Sequence, residues 1–131
     1  MLVSGSYILD TNIVIALFAG DKNVTDKLEE SREVFVTTQV IGELFFGVFQ
    51  SAHKKSNLER VHDFISHTAI LFSDVMTARI YGEIKAHLQQ KGRPIPENDI
   101  WIASLAKQHQ LTLVSRDKHF DGIPGVTLTQ W

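Results

Sequence analysis

Short apolar runs alternate with longer stretches of helical periodicity along this 131-residue chain, and that alternation restricts the fold to a narrow class. Tyr7-Ile8-Leu9, Val34-Phe35-Val36, Leu111-Thr112-Leu113-Val114 and Val126-Thr127-Leu128 read as strands, and Ala69-Ile70-Leu71 as a short edge strand. Helical patterns cover residues 13–19, 24–31, 38–51, 75–90 and 98–109, with a further helix marked by Leu58, Val61, Phe64 and Ile65. Strands separated by helices rather than by tight turns predict a parallel sheet with helices on both faces. A chain of 131 residues supports one core, so a single domain over 1–131 is expected.

Local signals agree with this outline. Ser73 or Asp74 can cap the helix that begins at Val75, and Gly92-Arg93-Pro94 ends it. Asn98 can cap the helix that follows, which is apolar on nearly every side and therefore expected between layers. With no cysteine, disulfides, thiolate zinc sites and cysteine nucleophiles are excluded. The start, Met1 to Ser6, has no basic segment leading into a long apolar one, and no apolar run has membrane-spanning length, so a cytoplasmic protein is expected. The net charge of −2 provides no global field for nucleic acid, so any such binding depends on a local patch.

Four carboxylates stand out by position. Asp10 directly follows the first strand and Asp117 lies three residues past Val114, which puts both at the carboxyl ends of parallel strands, where α/β sheets form their ligand crevices. Taken singly, Asp10 has an ordinary explanation as a helix cap and Asp117 as a turn residue. Glu43 lies on the narrow polar strip of an otherwise apolar helix, between Gln39 one turn before and Gly47 one turn after, so it borders buried surface with open room above it. Either a basic partner or a cation has to compensate it. Asp99 suits the positive end of its helix, but the cluster Glu97-Asn98-Asp99 offers more acceptors than a helix start requires. Converging carboxylates cannot all stay ionised without a neutralising cation, and oxygen-only ligands favour hard ions such as Mg²⁺ or Mn²⁺, which activate water in phosphodiester hydrolysis.

Leu-Asp-Thr-Asn at 9–12, Gly-Glu-Leu-Phe-Phe-Gly at 42–47, Asn-Asp-Ile-Trp-Ile-Ala at 98–103 and Leu-Val-Ser-Arg-Asp-Lys-His-Phe at 113–120 together resemble PIN domains, in order and in spacing. In particular they resemble the VapC-type toxin ribonucleases of toxin–antitoxin pairs, from Tyr7 to Trp131. The resemblance implies a three-layer α/β/α sandwich around a mainly parallel sheet and an Mg²⁺- or Mn²⁺-dependent endoribonuclease activity. It also implies a homodimer, and inhibition by a cognate antitoxin that occludes the acidic pocket. It assigns Asp10, Glu43, Asp99 and Asp117 to metal binding and catalysis, and Thr11, Asn12 and Ser115 to the polar lining; Ser115 stands where the family more often has threonine.

Lys91, Arg93, Arg116, Lys118 and His119 fall in loops near the same edge and are candidates for contact with RNA phosphates, Arg116 foremost. The other histidines lack metal-ligand spacing and receive no role. Two other functions fit a PIN-like fold: a non-catalytic binding module, and a metal nuclease acting on DNA.

Overall fold

The structure is a computed structural model that describes residues 5–131; the Met1–Ser4 part of the start read above for a targeting signal lies outside the described residues. Its centre is a five-stranded, wholly parallel sheet in the order β3-β2-β1-β4-β5, comprising β1 (Ser6–Leu9), β2 (Glu33–Thr37), β3 (Ala69–Leu71), β4 (Thr112–Val114) and β5 (Leu128–Thr129). Ile8 pairs with Phe35 on one side and Leu113 on the other. Strands in the middle of a parallel sheet are covered on both faces, which is why they read as continuous apolar runs: Ile8, Leu9, Val36, Leu113 and Val114 are fully buried. β3 lies at the edge, as expected.

The flanking helices are α1 (Thr11–Phe18), α2 (Lys22–Glu30), α3 (Thr38–Gln50), α4 (Lys54–Ser66), α5 (Val75–Gln90) and α6 (Glu97–Gln108). Each of α1, α2, α3 and α5 has a side-chain cap. Thr37 Oγ1 accepts from Val40 N at 3.1 Å at the head of α3, and Asp74 and Thr77 exchange bonds in a capping box at the head of α5. Gly92, at φ 65°, takes the left-handed conformation that turns the chain after α5. α6 packs along α5 and against α3, and buries Ile100, Ile102, Ala103, Ser104, Leu105 and Ala106.

Three local readings differ from the sequence expectation. Asn98 does not cap α6: the helix starts at Glu97 behind Pro96, without a side-chain cap, and Asn98 falls in the first turn. The last strand is Leu128–Thr129 rather than 126–128, because the Pro124-Gly125 turn, with Gly125 at φ 78°, still holds Val126, whose N–H bonds back to Ile123 O. Phe46 and Phe49 of α3 are 64% and 60% exposed, so this helix shows solvent an apolar face as well as its polar strip.

Ile8 is completely buried at the middle of the central strand. Ile8→Ala is expected to cost about 2–5 kcal/mol in urea unfolding, through lost burial and the cavity left behind. A cost below about 1 kcal/mol would show that this strand is not the centre of the core.

Candidate metal centre

The site grows from the two adjacent strand ends of β1 and β4. Asp10 N donates to Val114 O at 2.9 Å, extending the ladder by one residue, and the Asp10 carboxylate then caps α1 by accepting from Thr11 N at 2.8 Å. Its other oxygen accepts from Ser115 Oγ at 2.7 Å and from Asn12 Nδ2 at 3.4 Å. Ser115 Oγ also accepts from Asn12 Nδ2 at 3.3 Å and from Asp117 N at 2.9 Å, which uses its one proton and both lone pairs. Asn12 and Ser115 therefore fix the orientation of the Asp10 carboxylate. The serine in place of threonine supplies the hydroxyl this network needs.

Asp99 enters from the first turn of α6 and Asp117 from the loop after β4, where it accepts from His119 N at 2.9 Å and starts the short 3₁₀ turn Lys118–Phe120. The His119 ring closes the cluster: its Nδ1 lies 2.9 Å from Asp99 Oδ2 and 3.1 Å from Asp117 Oδ2. Glu43 comes from α3 and borders a cavity of about 380 Å³ lined by Ile15, Phe18, Gly47 and Arg60 among others. No atom approaches the position of a Cβ on Gly47, so the open room expected above Glu43 is there.

Burial is the largest influence on three of these carboxyls, and it raises the pKa of each. Asp10, with a relative exposure of 5%, is pushed up by burial and by the nearby charges of Asp99 and Asp117, against the lowering effect of its bonds to Ser115 and Thr11. Asp99 is raised by burial, with His119 offsetting part of the rise. Glu43 is raised by burial and by the charges of Asp10 and Asp99; Thr11 and Asn98 are close enough to moderate this. Yet Glu43 Oε1 and Thr11 Oγ1 are both buried without a hydrogen-bond partner in this structure. The bond from Asp99 in turn raises His119 above its ordinary value.

Among the described residues no lysine or arginine is ion-paired to this cluster. Lys85 serves Glu97, which also accepts from Tyr81 OH, so Glu97 is a structural residue at the helix start. Arg116, the foremost candidate for RNA, is committed elsewhere: Nε donates to Trp131 O at 2.8 Å and a terminal nitrogen to Asp21 Oδ2 at 2.8 Å. Arg93 and Lys118 are exposed. An oxygen-rich cluster with a buried, unpaired carboxylate oxygen and no basic partner but a histidine suits a divalent cation. His119 is the residue that sequence reasoning placed in a general basic group and not in the cluster itself; the spacing Asp117-x-His119 at a strand end was the available signal.

The PIN-domain profile matches residues 7–126, and the chain belongs to the PIN-domain family. Within that family it stands with the VapC proteins. "Ribonuclease VapC2" of Rickettsia felis is 33% identical over 132 residues, covering 95% of this chain and 97% of the relative. "tRNA(fMet)-specific endonuclease VapC" of Salmonella typhimurium is 31% identical over 134 residues, with the same two coverages of 95% and 97%. Among solved structures, VapBC2 from Rickettsia felis bound to a DNA fragment from its promoter superposes with a TM-score of 0.90 at 31% identity, over 96% of this chain and 98% of that one. VapBC-1 from nontypeable Haemophilus influenzae, at 24% identity, shares the fold with a TM-score of 0.88 over 96% and 98% of the two chains.

A carboxyl whose pKa is higher folded than unfolded takes up protons on folding, so Asp10, Glu43 and Asp99 each lower stability as pH rises from about 4 through their raised values. His119 stabilises fully below its ordinary value of 6.5, and that contribution is lost as pH rises through its raised folded value. Both effects have the same sign. The metal-free protein is expected to melt at falling temperature from about pH 5 to about pH 8, and added Mn²⁺ to recover most of the loss at the upper end. A metal-free melting temperature that climbs over this interval would contradict the proposed coupling.

Proposed function

We propose that this chain, as a single PIN-like domain over 1–131, is an endoribonuclease that uses Mg²⁺ or Mn²⁺ to hydrolyse RNA phosphodiester bonds. The observation that carries this reading is the buried Glu43 oxygen without a partner, set among carboxylates whose burial and mutual repulsion call for a cation. Asp10, Glu43, Asp99 and Asp117 are the residues that hold it. A divalent ion bound there supplies charge neutralisation at phosphorus and a more acidic water. The protein's own part is geometric. Ser115 and Asn12 hold Asp10 in one rotamer, Asp117 is anchored through its N–H to Ser115, and Thr11 puts its buried hydroxyl near Glu43. Lys118 and Arg93, exposed and unpaired by ion pairs, are the better candidates for RNA phosphate contact, since Arg116 is engaged structurally.

The solved VapBC-5 structure from Mycobacterium tuberculosis is described as a member of the VapBC family of toxin–antitoxin systems, and the same regulation is proposed here. The apolar cavity beside Glu43, whose wall includes the exposed Ile15, supports docking of a cognate antitoxin segment. A second apolar patch, Phe72, Val75 and Met76, supports the homodimer. The cytoplasm is the proposed location, consistent with a chain that lacks cysteine and in which no described helix is long and apolar enough to cross a membrane.

Cleavage of labelled RNA and DNA oligonucleotides of the same sequence is the direct test. RNA is cut with Mn²⁺ or Mg²⁺, chelation stops it, and Asp10→Asn and Asp99→Asn each lose at least roughly 100-fold while remaining folded. Cutting of DNA alone, or RNA cleavage retained in either folded variant, overturns the assignment. For the partner surfaces, light scattering is expected to give a two-chain mass, and Ile15→Glu to weaken antitoxin binding without reducing RNA cleavage. A monomeric mass removes the dimer, and unimpaired antitoxin binding removes the groove as its seat.

A further inference from the structure

His119 is placed by two independent anchors. Its backbone N–H donates to Asp117 Oδ1 at 2.9 Å, and the next side chain, Phe120, is 1% exposed in the core, so the 3₁₀ turn that carries the ring is fixed at both sides. The ring itself is not there for packing, since its side chain is 47% exposed. A half-exposed imidazole normally turns its nitrogens to water, yet here Nδ1 is directed at two carboxylate oxygens of different elements, Asp99 Oδ2 of α6 at 2.9 Å and Asp117 Oδ2 at 3.1 Å. One ligand atom from each of Asp99, Asp117 and His119 lies within 4.8 Å of the other two.

The two short spacings are hydrogen-bond lengths, and they also match the spacing of atoms that share a metal ion. Adjacent ligands of an octahedral divalent ion, each about 2.1 Å from it, are separated by √2 times that distance, or about 3.0 Å. The Nδ1 separations of 2.9 and 3.1 Å bracket this value. A single Nδ1–H can satisfy two carboxylates only by sharing, whereas a cation among the three atoms gives each of them a full bond.

We infer that His119 is a nitrogen ligand of the metal centre, binding through Nδ1 beside Asp99 and Asp117. The inference rests on the metal-centre reading above and deepens it. A mixed nitrogen and oxygen set has a consequence that an all-carboxylate set lacks. Imidazole adds far more to the affinity for later transition ions than to that for Mg²⁺, whose preference is for oxygen and retained water. The site therefore accepts Mg²⁺ through its carboxylates and ranks Co²⁺ above it through His119. Among the described residues, the one histidine that contacts the cluster is His119; His62, for example, packs on Phe45 of α3 at 5.6 Å between ring centroids. A nitrogen signal from a bound ion is thus assignable.

Pulsed electron paramagnetic resonance of the Mn²⁺-loaded full chain tests this without any turnover. The wild-type protein is expected to show ¹⁴N modulation from a directly bound imidazole, and His119→Ala to lose it. In metal titrations of the same two proteins, the substitution is expected to weaken Co²⁺ binding by roughly 10–100-fold and Mg²⁺ by less than about threefold. Mn²⁺ binding to the wild type without ¹⁴N modulation overturns the inference and leaves the carboxylate centre standing. An unchanged ratio of Co²⁺ to Mg²⁺ affinity in a folded His119→Ala protein does the same. Failure of the wild type to bind any of the three ions overturns the metal-centre reading and this inference with it.

Discussion

The arrangement depends on a single electrostatic constraint, the burial of like charges at one end of a parallel sheet. Asp10 is almost fully buried and faces the negative charges of Asp99 and Asp117, and each of Asp10, Glu43 and Asp99 is held above its ordinary pKa by burial first of all. A fold selected for stability alone would place a neutral residue at these positions, since removing converging charges from a buried edge relieves repulsion. What offsets the repulsion without a metal is a set of neutral donors around Asp10, namely Thr11 N, Ser115 Oγ and Asn12 Nδ2, together with the His119 imidazole, whose protonated form is favoured between Asp99 and Asp117. The donors are incomplete. Glu43 is left with a buried oxygen that makes no hydrogen bond among the described residues.

Strand order explains how four separated segments reach one point. β1 has β2 on one side and β4 on the other, so the chain leaves the central strand in one direction and returns on the opposite side, opening a crevice beyond the carboxyl ends of β1 and β4. Asp10 and Ser115 bound that crevice, and the first turn of α6 brings Asp99 in from above it. α3 touches both α1 and α6, which sets Glu43 beside Thr11. The positive end of α6, uncapped by any side chain, points the same way and adds a favourable field for the Asp99 carboxylate.

How much of this was legible in the sequence follows from how local each determinant is. Asp10 and Asp117 were legible because the apolar runs before them identify strand ends, and strand ends identify the crevice. Glu43 was legible because a lone acid on an apolar helix is costly unless compensated. The boundaries that moved did so for local reasons of a finer grain: Pro96 starts α6 before Asn98 can cap it, and Pro124-Gly125 delays β5. The structural engagement of Arg116 was not legible, for a different reason. Its partners, Asp21 and Trp131, stand 95 and 15 residues away along the chain, and no pattern in a single sequence reveals a clamp of that span. His119 lies between these cases. It is only two residues from Asp117, but the second contact, to Asp99, is a tertiary one, and the role depends on both.

Glu43 belongs to two environments at once, and this ties the proposed chemistry to the proposed regulation. One side of it faces the acidic cluster, where the charges of Asp10 and Asp99 raise it; the other borders the apolar cavity with Ile15, Phe18 and Gly47. Gly47 lines that cavity with open space where a side chain would stand. Arg60 lines the same cavity with its guanidinium carbon 5.7 Å from the Phe18 ring centroid, so the wall beside Glu43 is aromatic and basic and not another acid. On the proposed reading, a segment seated in this groove removes further water from Glu43 and raises the cost of its ionised form. Such a segment would change the charge balance that Glu43 shares with Asp10 and Asp99, so that occupation of the apolar surface would reach the acidic one through a single side chain.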